Sequence, residues 1–248
     1  MLATDKQQSI EKPETFQGDL AKLPAALKPL EEERRWVAWK WEKSRKTGKW
    51  TKPPYQTGNG RNASNDDPST WGGYHEAIAK VDKDGIGFNL LNGDIGAVDL
   101  DKCRDPETGA IDEWAQAIVD RVPDAYAEVT VSGTGLRIIG IANGASLHRQ
   151  FTVDGGPGKY EVYRNCARFI TISGYVLDGR GDKPLPNINK LLEELVTEGD
   201  AQKKGEGKVE GKRGRGRPKG SKNKKALPKY LETLLTFPDG GAGAACGA

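Results

Sequence analysis

Asp99 and Asp101 flank a single leucine at the end of Ile95–Asp101, which reads I-G-A-V-D-L-D. Side chains alternate along a strand, so both carboxylates share one face, with Cα atoms about 7 Å apart. Val98 and Leu100 point the other way. Two neighbouring carboxylates repel unless a cation lies between them. Mg²⁺ or Mn²⁺ with oxygen ligands at ~2.1 Å, shared with phosphate oxygens, is the usual solution. Two such ions ~4 Å apart serve in-line phosphoryl or nucleotidyl transfer. A D-x-D pair also ends many strands in solvated turns, so it is weak alone. Glu161, alternating with Tyr160 and Val162 on a later strand, would complete a carboxylate triad; paired with Lys159 it would be an ordinary surface residue.

Other residues could hold a phosphate chain. Ser132, Gly133, Thr134 and Gly135 join two strands, and glycines in such a turn let backbone N–H groups approach an anion. Ser132 and Thr134 add hydroxyls. Arg137 adds a planar fork matched to phosphate oxygens. Arg168 opens a largely apolar strand and could face Glu161 or a triphosphate. Lys52 stands in a stiff K-P-P loop. For each of these an ordinary hairpin, salt bridge or surface cation is the competing reading. His75 reads as a helix residue, and Trp36, Trp39 and Trp41 read chiefly as core.

Placing these groups takes several strands and a few helices. Residues 35–41 alternate as a strand. Asp67 and Pro68 mark a helix start, which would bury Trp71, Tyr74, Ile78 and Val81. Residues 85–91 and 95–101 read as a hairpin, because Asn92-Gly93 suits a tight turn. A helix is expected over 108–122, strands over 126–132, 136–142, 159–163 and 168–173, and a helix over 187–197. Strands outnumber helices, and the fold class is α+β.

The chain has 248 residues, with 35% hydrophobic and 29% charged. No apolar run approaches the ~20 residues that cross a bilayer. Met1 to Gln8 lack a signal peptide's apolar stretch. Cys103, Cys166 and Cys246 are far apart, which argues against a disulfide framework or structural zinc site and for a reducing cytoplasm. The net charge of +3 hides an asymmetry: residues 201–230 hold 12 Lys and Arg against 2 acids, while residues 1–200 hold 26 against 31. A basic tail on a mildly acidic body suits a polyanion. The expected organisation is a flexible arm over 1–28, a catalytic domain over 29–197, a basic linker over 198–225 and a last helix within 226–248. The ending lacks folding logic, so the chain is expected to be a fragment of something longer.

In order along residues 34–178 stand W-x-x-W, K-P-P-Y, D-P-S-T-W, G-I-G-F, D-L-D, E-x-x-x-S-G-T-G-L-R-I, Y-E-V-Y and R-F-I-T-I-S-G. This series resembles the bifunctional primase–polymerase domain of phages and plasmids, in the archaeo-eukaryotic primase superfamily. The resemblance implies an RRM-like catalytic antiparallel sheet beside an N-terminal α/β part. It implies nucleotidyl transfer from NTP or dNTP to a 3′-hydroxyl on a DNA template, with Mg²⁺ or Mn²⁺ on Asp99, Asp101 and Glu161. Arg137 stands where well-studied members carry a histidine that contacts the incoming triphosphate. A replicative helicase, separate or fused, is an expected partner.

Residues 212–220, K-R-G-R-G-R-P-K-G, resemble an AT-hook, with Arg213, Arg215, Arg217 and Lys219 as minor-groove contacts. Two other readings compete with the enzyme. One is a catalytically weak or inactive DNA-binding replication protein that relies on this tail. The other is a metal nuclease that uses the same carboxylates.

Overall fold

The computed structural model describes residues 11–80 and 82–206. The strands are β1 (Trp36–Trp39), β2 (Glu42–Lys43), β3 (Trp50–Thr51), β4 (Pro54–Tyr55), β5 (Gly85–Asn89), β6 (Ile95–Asp101), β7 (Tyr126–Val129), β8 (Leu136–Ile141), β9 (Leu147–Thr152), β10 (Lys159–Arg164) and β11 (Phe169–Ile172). The α-helices are α1 (Tyr74–Ile78), α2 (Glu113–Asp120) and α3 (Asn189–Glu206). The class is α+β. The chain divides after Gly199, within α3; of the second unit, only the end of that helix is described.

One sheet has the order β11-β5-β1-β4 and the other β7-β8-β6-β10-β9; β2 and β3 pair with each other. Every named strand pairing is antiparallel. In the five-stranded sheet α2 carries the chain from β6 to β7, with β8 inserted between those two strands.

The rear face of this sheet takes helix α3. An added Cβ on Gly140 would lie 2.5 Å from Ile188, and one on Gly96 would lie 3.2 Å from Leu192. The Tyr160 hydroxyl donates to the Leu195 carbonyl at 3.1 Å. Arg121 at the end of α2 ties that helix to α3 through Glu194 and Glu198.

The front face has two chemistries. At one end Ile95, Ala97, Tyr126, Ile139 and Tyr163 share a core with Trp36, Ile86, Phe88, Ile170 and Ile172 of the other sheet. Trp36 meets Phe88 edge-on, with centroids 5.1 Å apart, a geometry worth about 0.5–1.5 kcal/mol beyond burial. At the other end lie Asp99 and Asp101, where the second sheet no longer covers the first.

Several local expectations are corrected. Residues 85–91 and 95–101 do not form a hairpin. β5 pairs with β1 and β11, while β6 pairs with β8 and β10. The Asn-Gly turn exists, with Asn92 at φ 57°, but it carries the chain between sheets. Arg35 holds it by donating to the Leu91 and Asn92 carbonyls. The helix expected from Asp67 is broken. Asp67 caps a 3₁₀ turn over Pro68–Thr70, and Gly72 then pairs with Trp36 as a β-bridge before α1 begins. Two adjacent glycines favour the break; Val81 lies outside the described residues.

The arm expected over 1–28 is packed on the body along much of its described part. Phe16 donates its amide to Val131 and Gly18 to Ser173, both at 2.9 Å. A 3₁₀ helix over Ala25–Glu32 buries Ala26, Leu27 and Leu30. Strand β9 has no counterpart among the sequence expectations, because L-H-R-Q-F-T lacks clean alternation. The end of the basic linker, the helix expected within 226–248 and the AT-hook-like residues lie outside the described residues.

Candidate active site

Strand register lines up the charged end of the front face. Glu128 on β7 stands opposite Arg137 on β8, Arg137 opposite Asp99 on β6, Asp99 opposite Glu161 on β10, and Glu161 opposite Gln150 on β9. One rung thus crosses all five strands, with its charges alternating over Glu128, Arg137 and Asp99. Two residues along, Asp101 stands opposite Lys159.

Arg137 is buried and grips Asp99 with two prongs: Nε to Oδ1 at 2.5 Å and Nη2 to Oδ2 at 2.8 Å. Its Nη1 donates to the carbonyl and, at 2.8 Å, to the hydroxyl of Thr171 on β11, and lies 3.7 Å from Glu128. The guanidinium therefore links the two sheets as well as holding Asp99. Burial opposes its charge, but Asp99 and then Glu128 outweigh this and move its pKa up.

Glu128 is fully buried. It accepts from the Tyr126 hydroxyl at 2.8 Å, the Ser173 amide at 3.1 Å and the Gly174 amide at 3.0 Å. Burial pushes its carboxyl upward, against the pull of Arg137 and these donors. These bonds fix β7 to the chain leaving β11.

Glu161 accepts from the Tyr163 hydroxyl at 2.6 Å and from Lys159 at 3.1 Å, and lies 3.2 Å from His148 Nε2. His148 stacks on Tyr163, with centroids 5.0 Å apart. Burial alone would raise the Glu161 pKa; the contacts with Tyr163, His148 and Lys159 outweigh it and lower the value. Lys159 also reaches Asp101 at 3.0 Å. Burial works against its ammonium, but Asp101 and then Glu161 raise its pKa.

A cleft of about 290 Å³ opens beside Asp99 and Asp101, lined also by Lys52, Thr130, Val131, Ser132, Arg137, Phe169 and Thr171. That volume is at the small end of the roughly 300–1,000 Å³ of ligand sites. Its wall from the smaller sheet depends on glycine: Phe169 lies across Gly87, where a Cβ would sit 2.5 Å from the ring. Lys52 stands over the Trp41 ring at 4.5 Å. Burial and then Arg137 lower its pKa, while Asp99 and Asp101 pull it back. The turn after β7 presents a hydroxyl relay, Thr130 to Ser132 to Thr134, with both separations 3.1 Å. Gly133 turns at φ 74°. Gly135 lets β8 approach β6, since a Cβ there would lie 2.5 Å from the Leu100 carbonyl.

The structure thus gathers Asp99, Asp101, Arg137, Ser132 and Lys52 at one cleft. Glu161 stands on the far side of Asp99. Gly133, Thr134 and Gly135 shape the turn behind Ser132. Arg168 is exposed and is not among the cleft-lining residues. Among the described residues, no three His, Cys, Asp or Glu side chains gather into a metal-binding group. The three carboxylates share a face, but Arg137 and Lys159 stand among them. As donors they fit a hard divalent cation, which takes oxygen ligands, and Lys159 already places a positive charge between Asp101 and Glu161. Glu128, Phe169 and Thr171 lie inside E-x-x-x-S-G-T-G-L-R-I and R-F-I-T-I-S-G, which assign them no role, and His148 falls outside the motifs. Thr171 and Phe169 alternate with core residues in R-F-I-T-I-S-G, a signal that could have placed them on the opposite face.

No protein-family model matches this chain. A curated relative, a DNA primase-polymerase from Nitratiruptor phage NrS-1, is 33% identical over 161 residues, which is 63% of this chain and 21% of the relative. The chain spans about a fifth of that relative's length. Over that stretch the chain is similar to this DNA primase-polymerase.

Proposed function

We propose that the chain carries the nucleotidyl-transfer site of a DNA primase–polymerase acting in phage, prophage or plasmid replication. The observation that carries this reading is the set of Asp99, Asp101 and Glu161 on one face, beside a cleft that also offers Lys52 and Ser132. The relative's name supports the same chemistry. Strand order β7-β8-β6-β10, with α2 as the β6-to-β7 crossover and α3 on the rear face, supports the RRM-like description of the sheet.

In this reading the 3′-hydroxyl of a growing strand attacks the α-phosphorus of an NTP or dNTP, and pyrophosphate leaves. Asp99, Asp101 and Glu161 would hold Mg²⁺ or Mn²⁺, two ions in the expected arrangement, which when bound neutralise phosphate charge. Lys52 and Ser132 meet the phosphate chain. Arg137 holds Asp99 in one orientation through its two-pronged bridge and leaves direct phosphate contact to Lys52. Lys159 holds Asp101 and Glu161 until a stronger cation competes. The tail residues Arg213, Arg215, Arg217 and Lys219 would tether DNA and raise its local concentration. A helicase partner belongs to the same proposal.

One observation favours a second reading: both Asp99 oxygens are engaged by Arg137, as they would be in a DNA-binding protein without catalysis. Primer extension and de novo synthesis on single-stranded DNA separate the two. NTPs and dNTPs are supplied separately with Mg²⁺ or Mn²⁺, and Asp99→Ala/Asp101→Ala serves as control. Product that requires metal and vanishes in the double variant is expected. Absence of product with either metal, from folded protein that binds DNA, refutes the catalytic reading.

A further inference from the structure

We infer that the β2–β3 hairpin is a grip for the phosphate backbone of the nucleic acid entering the cleft. This rests on the proposed reading of the cleft and adds a surface to it. Residues 40–52 read K-W-E-K-S-R-K-T-G-K-W-T-K, six cations against one anion. They stand out from the body: the remaining residues of 1–200 hold 20 Lys and Arg against 30 acids.

The geometry separates these charges into two groups. The single acid, Glu42, is engaged by Lys40 at 3.1 Å and by the Tyr55 hydroxyl. Its charge is matched by Lys40, away from the hairpin's far end. Lys43, Arg45, Lys46 and Lys49 are exposed, and among the described residues none of them is in an ion pair. The turn between the strands is closed by backbone bonds, Ser44 N–H to Lys49 O and Gly48 N–H to Ser44 O, both at 2.8 Å. Gly48 takes φ 68°. These four cations are therefore carried on a built turn.

The hairpin also leads into the cleft. β3 ends at Thr51, and the next residue, Lys52, lines the cleft beside Asp99 and Asp101. At about 3.3 Å per extended residue, Lys49 and Lys46 lie within roughly 10–20 Å of Lys52 along the chain. A strand whose end reaches the cleft would pass the hairpin within a few nucleotides. Aromatic faces are interleaved with the cations: Lys43 lies 5.9 Å from the Trp50 ring and Lys52 lies over Trp41. Cations that follow a backbone beside rings that accept bases form the common pattern of single-strand binding. The phosphate backbone of single-stranded DNA is thus the partner this surface fits.

The test uses the full chain with Lys43→Gln, Arg45→Gln, Lys46→Gln and Lys49→Gln combined. Its control removes the same charge elsewhere, through Lys22→Gln, Lys28→Gln, Lys183→Gln and Lys190→Gln. Binding of a labelled single-stranded oligonucleotide is measured by anisotropy over a salt series, without nucleotide, and thermal unfolding verifies the fold. Every phosphate that the protein ceases to neutralise lowers the slope of log K against log salt by about 0.7. The hairpin variant should show a slope smaller by about 1.5–3 and bind at least about tenfold more weakly, while the control changes far less. In extension assays its KM for primer–template should rise and its KM for nucleotide should stay.

Equal binding by a folded hairpin variant and wild type, or an equal loss in the control, overturns the grip. A wild-type chain that makes no product but shows the hairpin effect refutes the reading of the cleft and leaves the grip standing.

Discussion

Glu128→Ala removes a carboxylate that has no part in the proposed reaction and that ties β7 to the chain leaving β11. The side chain is fully buried. Its removal leaves the Tyr126 hydroxyl and the Ser173 and Gly174 amides without their acceptor. Each orphaned buried donor costs about 1–3 kcal/mol. The nearby Arg137 loses one of its two acidic neighbours, and breaking a buried charge pair costs about 3–5 kcal/mol. These effects overlap, because Arg137 keeps Asp99 and Thr171 and because water can enter part of the gap. The expected loss is therefore about 3–5 kcal/mol in total rather than their sum, against a typical stability of roughly 5–15 kcal/mol. For a chain of this size that lowers Tm by roughly 6–20 °C. Urea unfolding and calorimetry would read both numbers. Tyr126→Phe removes one donor with its acceptor retained and should cost about 1 kcal/mol. A Glu128→Ala loss below about 1 kcal/mol, with normal cooperativity, would refute the view that this carboxylate joins the two sheets.

Lys52→Ala should raise the KM for nucleotide about tenfold, the effect of one charge-assisted phosphate contact, with Lys52→Arg recovering part of it in steady-state kinetics. Gly135→Ala should cost about 1–3 kcal/mol in chemical denaturation, because its Cβ would press on the Leu100 carbonyl. Cys103 is almost fully buried, and burial pushes its thiol up to about 12. Timed alkylation in mildly alkaline buffer should therefore leave Cys103 unmodified in the folded protein and label it after unfolding.

Much of the site was legible because it depends on local periodicity. D-L-D on a strand puts Asp99 and Asp101 on one face whatever surrounds them, and Y-E-V-Y does the same for Glu161. The strand–turn–strand around S-G-T-G and the helix beginning near Ile188 were equally local. The α+β class follows from the count of such segments. Which strands would pair was not local. Asn92-Gly93 satisfies a hairpin turn, yet β5 and β6 each find two partners elsewhere, and burial of Trp36, Phe88 and Ile95 between two sheets outweighs a short-range pairing. The same non-local packing decided the site's electrostatics. Sequence assigns Arg137 a free fork for phosphate, but register sets it between Asp99 and Glu128 and under Thr171, so it becomes the joint between sheets. Lys52, by sequence a candidate phosphate contact in a stiff loop with a surface cation as the competing reading, lines the cleft beside the β6 carboxylates. Sequence by itself determined which residue types could face one another along each strand. Tertiary structure decided which face was covered, because only the meeting of two sheets buries one end of the β6 face and leaves its aspartates at an opening.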